Sequence, residues 1–460
     1  MLNSNPIFEE KTELERKLGL SETLSIVVNR IIGSGIFRTP APIMLIAGSI
    51  SIFYGVWIIG GIATIFGALC YAELVAMMPR AGGPYVFLKA AYPPVVTFLR
   101  GWAMFFVSET GAIAAVALFF SETFLSVLDQ AGKLPETLIA ILIVILLTFV
   151  NSFGVKLSGT FQNLFSLLKV LVLVVIIIVG FSKGINSENF SEHTTKTFGI
   201  ATVISIFTAM RYGFFAYSGW EGATYVAEEV KNPRKNLPLS LFIGIGCVLL
   251  LYLLINTAYL NLLGPGKIAG AKVVAVDAMK AALGGMGGLL VAIAIMISTF
   301  GNVNTQILVK SRTWYAMARD RLFFNILSHL NPKFKTPNNS LFAQAIWASV
   351  LIIVASTATS AYEAVIDFFS FTSSVFNVLT FCSVFILRKK YPDISRPYKA
   401  WGYPFTLIIV LLIQISFMLT TLFTAFIPSL YGIALTSTGF IYYRYVILRN
   451  RNTASKRNEF

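Results

Sequence analysis

The sequence predicts an all-α membrane protein of twelve transmembrane helices, the first ten forming a 5+5 inverted repeat in which helices 1 and 6 are discontinuous. Three observations predict it. Of 460 residues, 56% are hydrophobic and only 12% are charged, whereas soluble domains carry about 25% charged residues. The apolar residues gather into stretches long enough for a bilayer, which needs roughly 20 residues per helix. Two of those stretches are broken by glycine and serine, and they stand first and sixth in the chain.

Taken in order, the spans cover about 24–46, 52–77, 95–127, 137–154, 159–182, 200–227, 239–263, 284–317, 341–358, 363–387, 404–427 and 430–448. The long third, sixth and eighth must tilt, break or project from the bilayer. A membrane barrel would show short alternating segments instead. The units expected are a cytoplasmic N-terminal segment 1–23, a first repeat 24–182, an inverted second repeat 200–388, two additional helices 404–448 and a basic cytoplasmic tail 449–460. The acidic start around residues 9–13 has no basic n-region or cleavage site, so the first span is expected to be retained.

Orientation follows from the loops. Of 36 Lys and Arg, most fall on the side that holds the N-terminus, among them Arg80, Arg100, Lys231, Lys310, Arg388 and Arg444. Basic residues favour the cytoplasm, so both termini are placed inside. The net charge of +15 is explained by this bias and does not call for nucleic acid. Once the basic residues assigned to that side and to the outer loops are set aside, four remain, all within spans: Arg30, Arg38, Lys169 and Arg211. A charge at that depth is costly and marks a functional hypothesis. Arg38, near the outer end of its helix, is expected to snorkel; Lys169, inside Leu164-Phe165-Ser166-Leu167-Leu168-Lys169-Val170-Leu171, is not.

The breaks carry the chemistry. Ile31-Ile32-Gly33-Ser34-Gly35-Ile36-Phe37 interrupts span 1, and Phe215-Ala216-Tyr217-Ser218-Gly219-Trp220-Glu221-Gly222 interrupts span 6. Small residues also serve close helix packing, and span 1 alone does not separate the two uses. Paired interruptions at matching places of inverted repeats favour a midplane substrate site. The half-helix starting near Ser34 and Gly35 offers free N–H groups to a carboxylate. The half-helix ending near Phe215 offers free C=O groups to an ammonium. One anion end and one cation end fit a zwitterion, with Phe215 and Trp220 as apolar neighbours.

These two motifs, with Gly67-Ala68-Leu69-Cys70-Tyr71-Ala72-Glu73-Leu74, Glu228-Glu229-Val230-Lys231-Asn232-Pro233, Phe300-Gly301-Asn302-Val303-Asn304 and Phe368-Phe369-Ser370-Phe371, occur in order along nearly the whole chain. Together they resemble the L-type amino acid transporter branch of the amino acid–polyamine–organocation superfamily. The resemblance implies the inverted-repeat fold of the sodium–leucine transporters and sodium-independent amino acid transport across the plasma membrane, by exchange or facilitated diffusion. It implies substrate binding by Ile31, Gly33, Ser34 and Gly35 from span 1 and by Phe215 and Ser218 from span 6. Phe215 would gate the outer side, with Trp220 as a second gating residue, and the Lys169 ammonium would take the place of a sodium ion, bridging toward spans 1 and 8. A buried lysine can also exchange a proton.

The chain departs from the animal members of that branch. No cysteine stands in the 126–133 segment, so no disulfide-linked accessory subunit is expected and the chain reads as a stand-alone, prokaryotic-like member. Glu221 replaces the usual asparagine, which opens an alternative: proton-coupled uptake, or exchange of cationic amino acids or polyamines. Arg30 and Glu109 are also unexpected, and Arg30 is expected to be neutralised by Glu109 or Glu221.

Other functions find little in the residues. The only histidines, His193 and His329, lie in loops on opposite sides, and neither a His-Glu-x-x-His cluster nor a metal-ligand spacing of Cys70, Cys247 and Cys382 occurs. No cofactor, metal or enzymatic activity is expected. The acidic pair Glu228-Glu229 reads either as an inner-gate clamp to Arg80 or Arg319 or as a solvated loop.

Overall fold

The computed structural model describes residues 16, 18–80, 82–128, 135–153, 158–182, 184–191, 199–334 and 336–447, with backbone alone at 158–168, 316 and 446–447. The acidic start at 9–13, the segment 129–133, His193 and the tail from 449 lie outside the described residues.

The described residues form helices joined by turns and loops, and the one β feature among them is a bridge of Leu18 to Val230. Helix α1 (Leu20–Ile31) opens with the Glu22 carboxylate accepting the Gly19 amide at 2.8 Å. The backbone amide and neighbouring Ser21 hydroxyl hold that carboxyl below its usual range. The helix stops at Ile31, and the chain is non-helical at 32–34 before α2 (Gly35–Arg38) and α3 (Pro40–Ala47). Proline in the first turn of α3 costs no hydrogen bond, so α2 and α3 form one helical arm. Span 1 is therefore two half-helices, as its glycines predict.

Helix α4 (Ile50–Met77) is continuous. After the short α5 (Pro84–Ala91), span 3 is built from α6 (Pro94–Ala103), a π-helical turn at Met104–Ser108, and α7 (Glu109–Val127). Such π turns concentrate at functional sites. Then come α8 (Glu136–Ser152) and α9 (Ser158–Ser182). Helix α10 (Ile200–Tyr217) ends at Ser218 and Gly219, and a 3₁₀ stretch (Trp220–Glu229) continues span 6 on a new axis. Gly219 has φ 96°, and a β-carbon there would lie 2.6 Å from the Arg30 carbonyl oxygen, so both the turn and the approach require glycine.

The second half continues with α11 (Pro233–Gly270), α12 (Val274–Arg319), α13 (Asn338–Ala355), α14 (Ala361–Lys390), α15 (Phe405–Thr424) and α16 (Phe426–Tyr442). The eighth span starts earlier than predicted, because helix resumes at Val274 and kinks at Gly284 rather than beginning there. Among the described residues, eight helices are long and apolar enough to cross a membrane by length and composition, and two shorter apolar helices, Glu136–Ser152 and Lys169–Ser182, accompany them. Large side chains such as Leu142, Leu146, Phe149, Ile346 and Leu412 face outward. Helices apolar on their outer faces suit lipid rather than water.

The packing surrounds the breaks. Helix α4 lies on α10 and α11, α12 on α7 and α9, and α14 on α7, α15 and α16. At the end where α1 begins, Glu73 of α4, 2% exposed, accepts from the Arg388 guanidinium at 2.8 and 2.6 Å and from the Ala400 amide at 2.7 Å. This fastens α4 to the end of α14 and the loop beyond it.

Candidate functional site

The two breaks face each other across the middle of the molecule. A β-carbon on Gly35 would lie 2.5 Å from the Ala216 α-carbon, so only glycine lets α2 meet the end of α10 at this distance. One side chain clasps both breaks. The Tyr252 hydroxyl, fully buried on α11, lies 3.0 Å from the Ala216 carbonyl oxygen and 3.2 Å from that of Ile31. It has one proton, so it donates to one of them at a time. Tyr252 stands in an unbroken apolar run, Leu249 to Ile255, and its only signal in the sequence is a hydroxyl that burial obliges to find a partner.

On the span 1 side, the amides of Gly33, Ser34, Gly35 and Ile36 donate to no protein acceptor among the described residues. The buried Ser34 hydroxyl also has none. Buried N–H groups are almost always paired, so this cluster of free donors can serve as an anion cradle. On the span 6 side, the Phe215 carbonyl accepts the Ser218 amide at 3.1 Å and its hydroxyl at 2.7 Å. Ser218 thus caps the end of α10 and presents its exposed face to the cavity.

A cavity of about 1290 Å³ joins these groups. Its wall includes Ile31, Gly33, Ser34, Gly35, Phe215, Ser218, Trp220, Glu221, Lys169, Arg30 and Glu109, so the predicted site residues are brought together. It runs to Ser21, Glu22 and Ser25, which are exposed, and so opens at the end where α1 begins. The other end is shut. Phe215 packs edge-on to Tyr362 and tilted against Phe369, both at 5.9 Å between ring centres. Trp220 lies below the break with its ring 4.6 Å from Tyr71.

Charge placement corrects the sequence reading at three points. Glu109 does not neutralise Arg30: it forms an ion pair with Lys310 of α12. Lys310 continues through Gln306 (2.9 Å) to Asn302 (2.9 Å), whose amide lies against Gly33. These three residues follow one face of α12, four apart. Lys310 reads in the sequence as one of the inside-facing charges; it is 7% exposed because α12 continues through it to Arg319 and turns it toward Glu109. Glu221 forms no ion pair with Arg30 either, and the Arg30 Nε is buried without a hydrogen-bond partner among the described residues. Arg38 does not snorkel: it is 6% exposed and pairs with Glu122 at 3.1 Å and Glu363 at 3.2 Å, over the Tyr362 ring. Arg211 pairs with Asp367 at 3.0 Å. The Lys169 ammonium lies 3.5 Å from the Asn29 carbonyl oxygen, so it touches span 1 next to the break. Arg80 and Glu228 stand 3.7 Å apart, so the clamp reading of that acidic pair holds for Glu228.

Comparison with known proteins agrees with this arrangement. The amino acid permease family model matches residues 18–448. The human large neutral amino acids transporter small subunit 2 is 34% identical over 84% of this chain and 72% of its own. The mouse b(0,+)-type amino acid transporter 1 is 30% identical over 94% and 88%, and the human cystine/glutamate transporter 29% identical over 97% and 88%. These relatives are transporters rather than enzymes by name, and with the apolar helices they make this a multi-pass membrane protein. The chain belongs to the amino acid permease family, in the L-type amino acid transporter branch of the amino acid–polyamine–organocation superfamily.

Proposed function

We propose that the protein is a sodium-independent secondary transporter that moves amino acids across the plasma membrane by alternating access, as an exchanger or facilitator. One observation carries the reading: a row of unpaired amides at 33–36 faces the end of α10 across a cavity that is open at one end. Free N–H groups at the start of a half-helix suit the α-carboxylate, and the carbonyl end of the opposing half-helix suits the α-ammonium. An arriving ammonium competes with the Ser218 hydroxyl for the Phe215 carbonyl.

In this reading the chain crosses the bilayer twelve times, spans 1–5 and 6–10 are inverted copies as in the sodium–leucine transporters, and two helices are added. Both termini are cytoplasmic, so the cavity opens inward. Ile31, Gly33, Ser34, Gly35, Phe215, Ser218 and Glu221 surround the substrate. Phe215 closes the outer side, Trp220 borders the inner path, and the Lys169 ammonium stands where a sodium ion would hold span 1 to its neighbours. The chain works without a disulfide-linked accessory subunit.

The test is uptake of radiolabelled amino acids into proteoliposomes in sodium-free buffer, with and without internal amino acid and a pH gradient. Uptake that needs no sodium, ignores pH and rises with internal substrate is the expected result for exchange. Uptake that requires sodium, or none for any amino acid, overturns the reading.

A further inference from the structure

Beside the proposed zwitterion cradle, the cavity wall holds charges that the cradle does not use. Arg30, Arg100 and Lys169 all line the cavity, and none has a carboxylate within ion-pair distance among the described residues. Arg100 is 6% exposed, its Nε has no hydrogen-bond partner, and its guanidinium lies 5.6 Å from the Phe376 ring centre. Arg30 is the last but one residue of α1, immediately before the free amides. Its stem fills the space over Gly222 and its Nε is buried and unpaired. It is near enough to Glu109, Lys310 and Lys169 to interact with each through space, but Glu109 is taken by Lys310.

The tally of sign is one-sided. Among the described residues Glu221 is the cavity carboxylate at this depth without an ion pair, since Glu109 is taken by Lys310, and it can offset one of three cations. A lysine can meet such a position by losing its proton. An arginine cannot, since its guanidinium stays charged in proteins. An unmatched charge at membrane depth is costly, so the two arginines call for an anion or for water.

We propose that Arg30, with Arg100 behind it, forms a subsite for a second carboxylate, the side-chain carboxylate of an acidic amino acid, so that the favoured substrates are aspartate- or glutamate-like. The inference rests on the amino acid transport reading and deepens it. The backbone of the substrate occupies the amides at 33–36 and the end of α10. Its side chain then points down the open cavity, where Arg30 is the first charged group that α1 presents.

The experiment uses the full chain in sodium-free proteoliposomes and measures uptake of radiolabelled L-glutamate and L-glutamine, which share a shape and differ in side-chain charge. Glutamate is expected to be taken up at least about tenfold more efficiently, the scale of one charge-assisted hydrogen bond. Arg30→Gln is expected to bring that ratio near one, and Arg30→Lys to keep part of it. If Arg30→Gln is not recovered as a monodisperse protein, Arg100→Gln and the wild-type ratio carry the test. The inference is overturned if glutamine matches glutamate in the wild type, if lysine or ornithine displaces both, or if the preference survives Arg30→Gln. It is also overturned if replacing gluconate by chloride raises glutamine uptake in an Arg30-dependent way, since the site then takes a free anion. Failure of every amino acid to enter removes the transport reading itself; neutral uptake without acidic preference removes this inference alone.

Discussion

Two arginines on the two arms of span 1 meet opposite fates. Arg38, beyond the break, lies between Glu122 and Glu363 over the Tyr362 ring. Arg30, before the break, lines the cavity with no carboxylate of its own. Toward the shut end the arginine of span 1 is matched by protein; toward the open end Glu109–Lys310 and Glu73–Arg388 are matched as well, but Arg30 and Arg100 are left to solvent and ligand. A buried pair resists separation because breaking it strands a charge in low dielectric. A half-helix that carries an unpaired charge in a wet cavity is under no such restraint. The asymmetry accounts for a molecule that is closed at Phe215 and open at Ser21 and Glu22.

The comparison can be broken most severely at the crossing itself. Gly35→Val puts side-chain atoms into Ala216 and forces the two breaks apart, and uptake is expected to fall at least about a hundredfold, the scale for misplacing a binding group by an ångström. The paired and unpaired arginines come next. Arg38→Gln strands Glu122 and is expected to cost about 3 kcal/mol of stability, seen as a lower melting temperature in detergent. Arg30→Gln removes an unmatched charge and is expected to leave the melting temperature unchanged or raised. Equal losses in both would refute the contrast. Tyr252→Phe keeps the ring but leaves the Ile31 and Ala216 carbonyls without their shared donor. It is expected to cost about 1 kcal/mol, with a larger effect on uptake than on melting because both breaks relax. The smallest effect is kept for the exposed pair of Lys272 and Glu136, 3.7 Å apart. Lys272→Ala should change stability by less than about 0.5 kcal/mol, the baseline for an ion pair bathed in solvent.

Both interruptions were legible in the residues, because glycine and serine in an apolar run recur at the matching first and sixth spans, which packing alone does not require. Lys169 was legible as buried for a local reason: nothing polar surrounds it in the chain. The ion pairs were not legible. Whether Arg38 reaches the surface or Glu122 depends on how α2 is rotated against α7, and no local pattern records that rotation. Lys310 reads with the inner-side charges, and no local pattern records that α12 turns it into the cavity wall against Glu109. Glu109 was then assigned to Arg30 for want of another cation. Tyr252 was hidden by its surroundings, one hydroxyl among leucines, and its role exists only where two distant breaks meet.

The account rests on the recognition of both poles of one small solute by backbone groups. The most direct measurement is competition against uptake of a transported amino acid by that same amino acid, its methyl ester and its N-acetyl derivative. Each derivative removes one charge and leaves the side chain intact. The account expects the free amino acid to compete and both derivatives to be at least about tenfold weaker, since each loses charge-assisted hydrogen bonds. A derivative that competes as well as the free amino acid would contradict it.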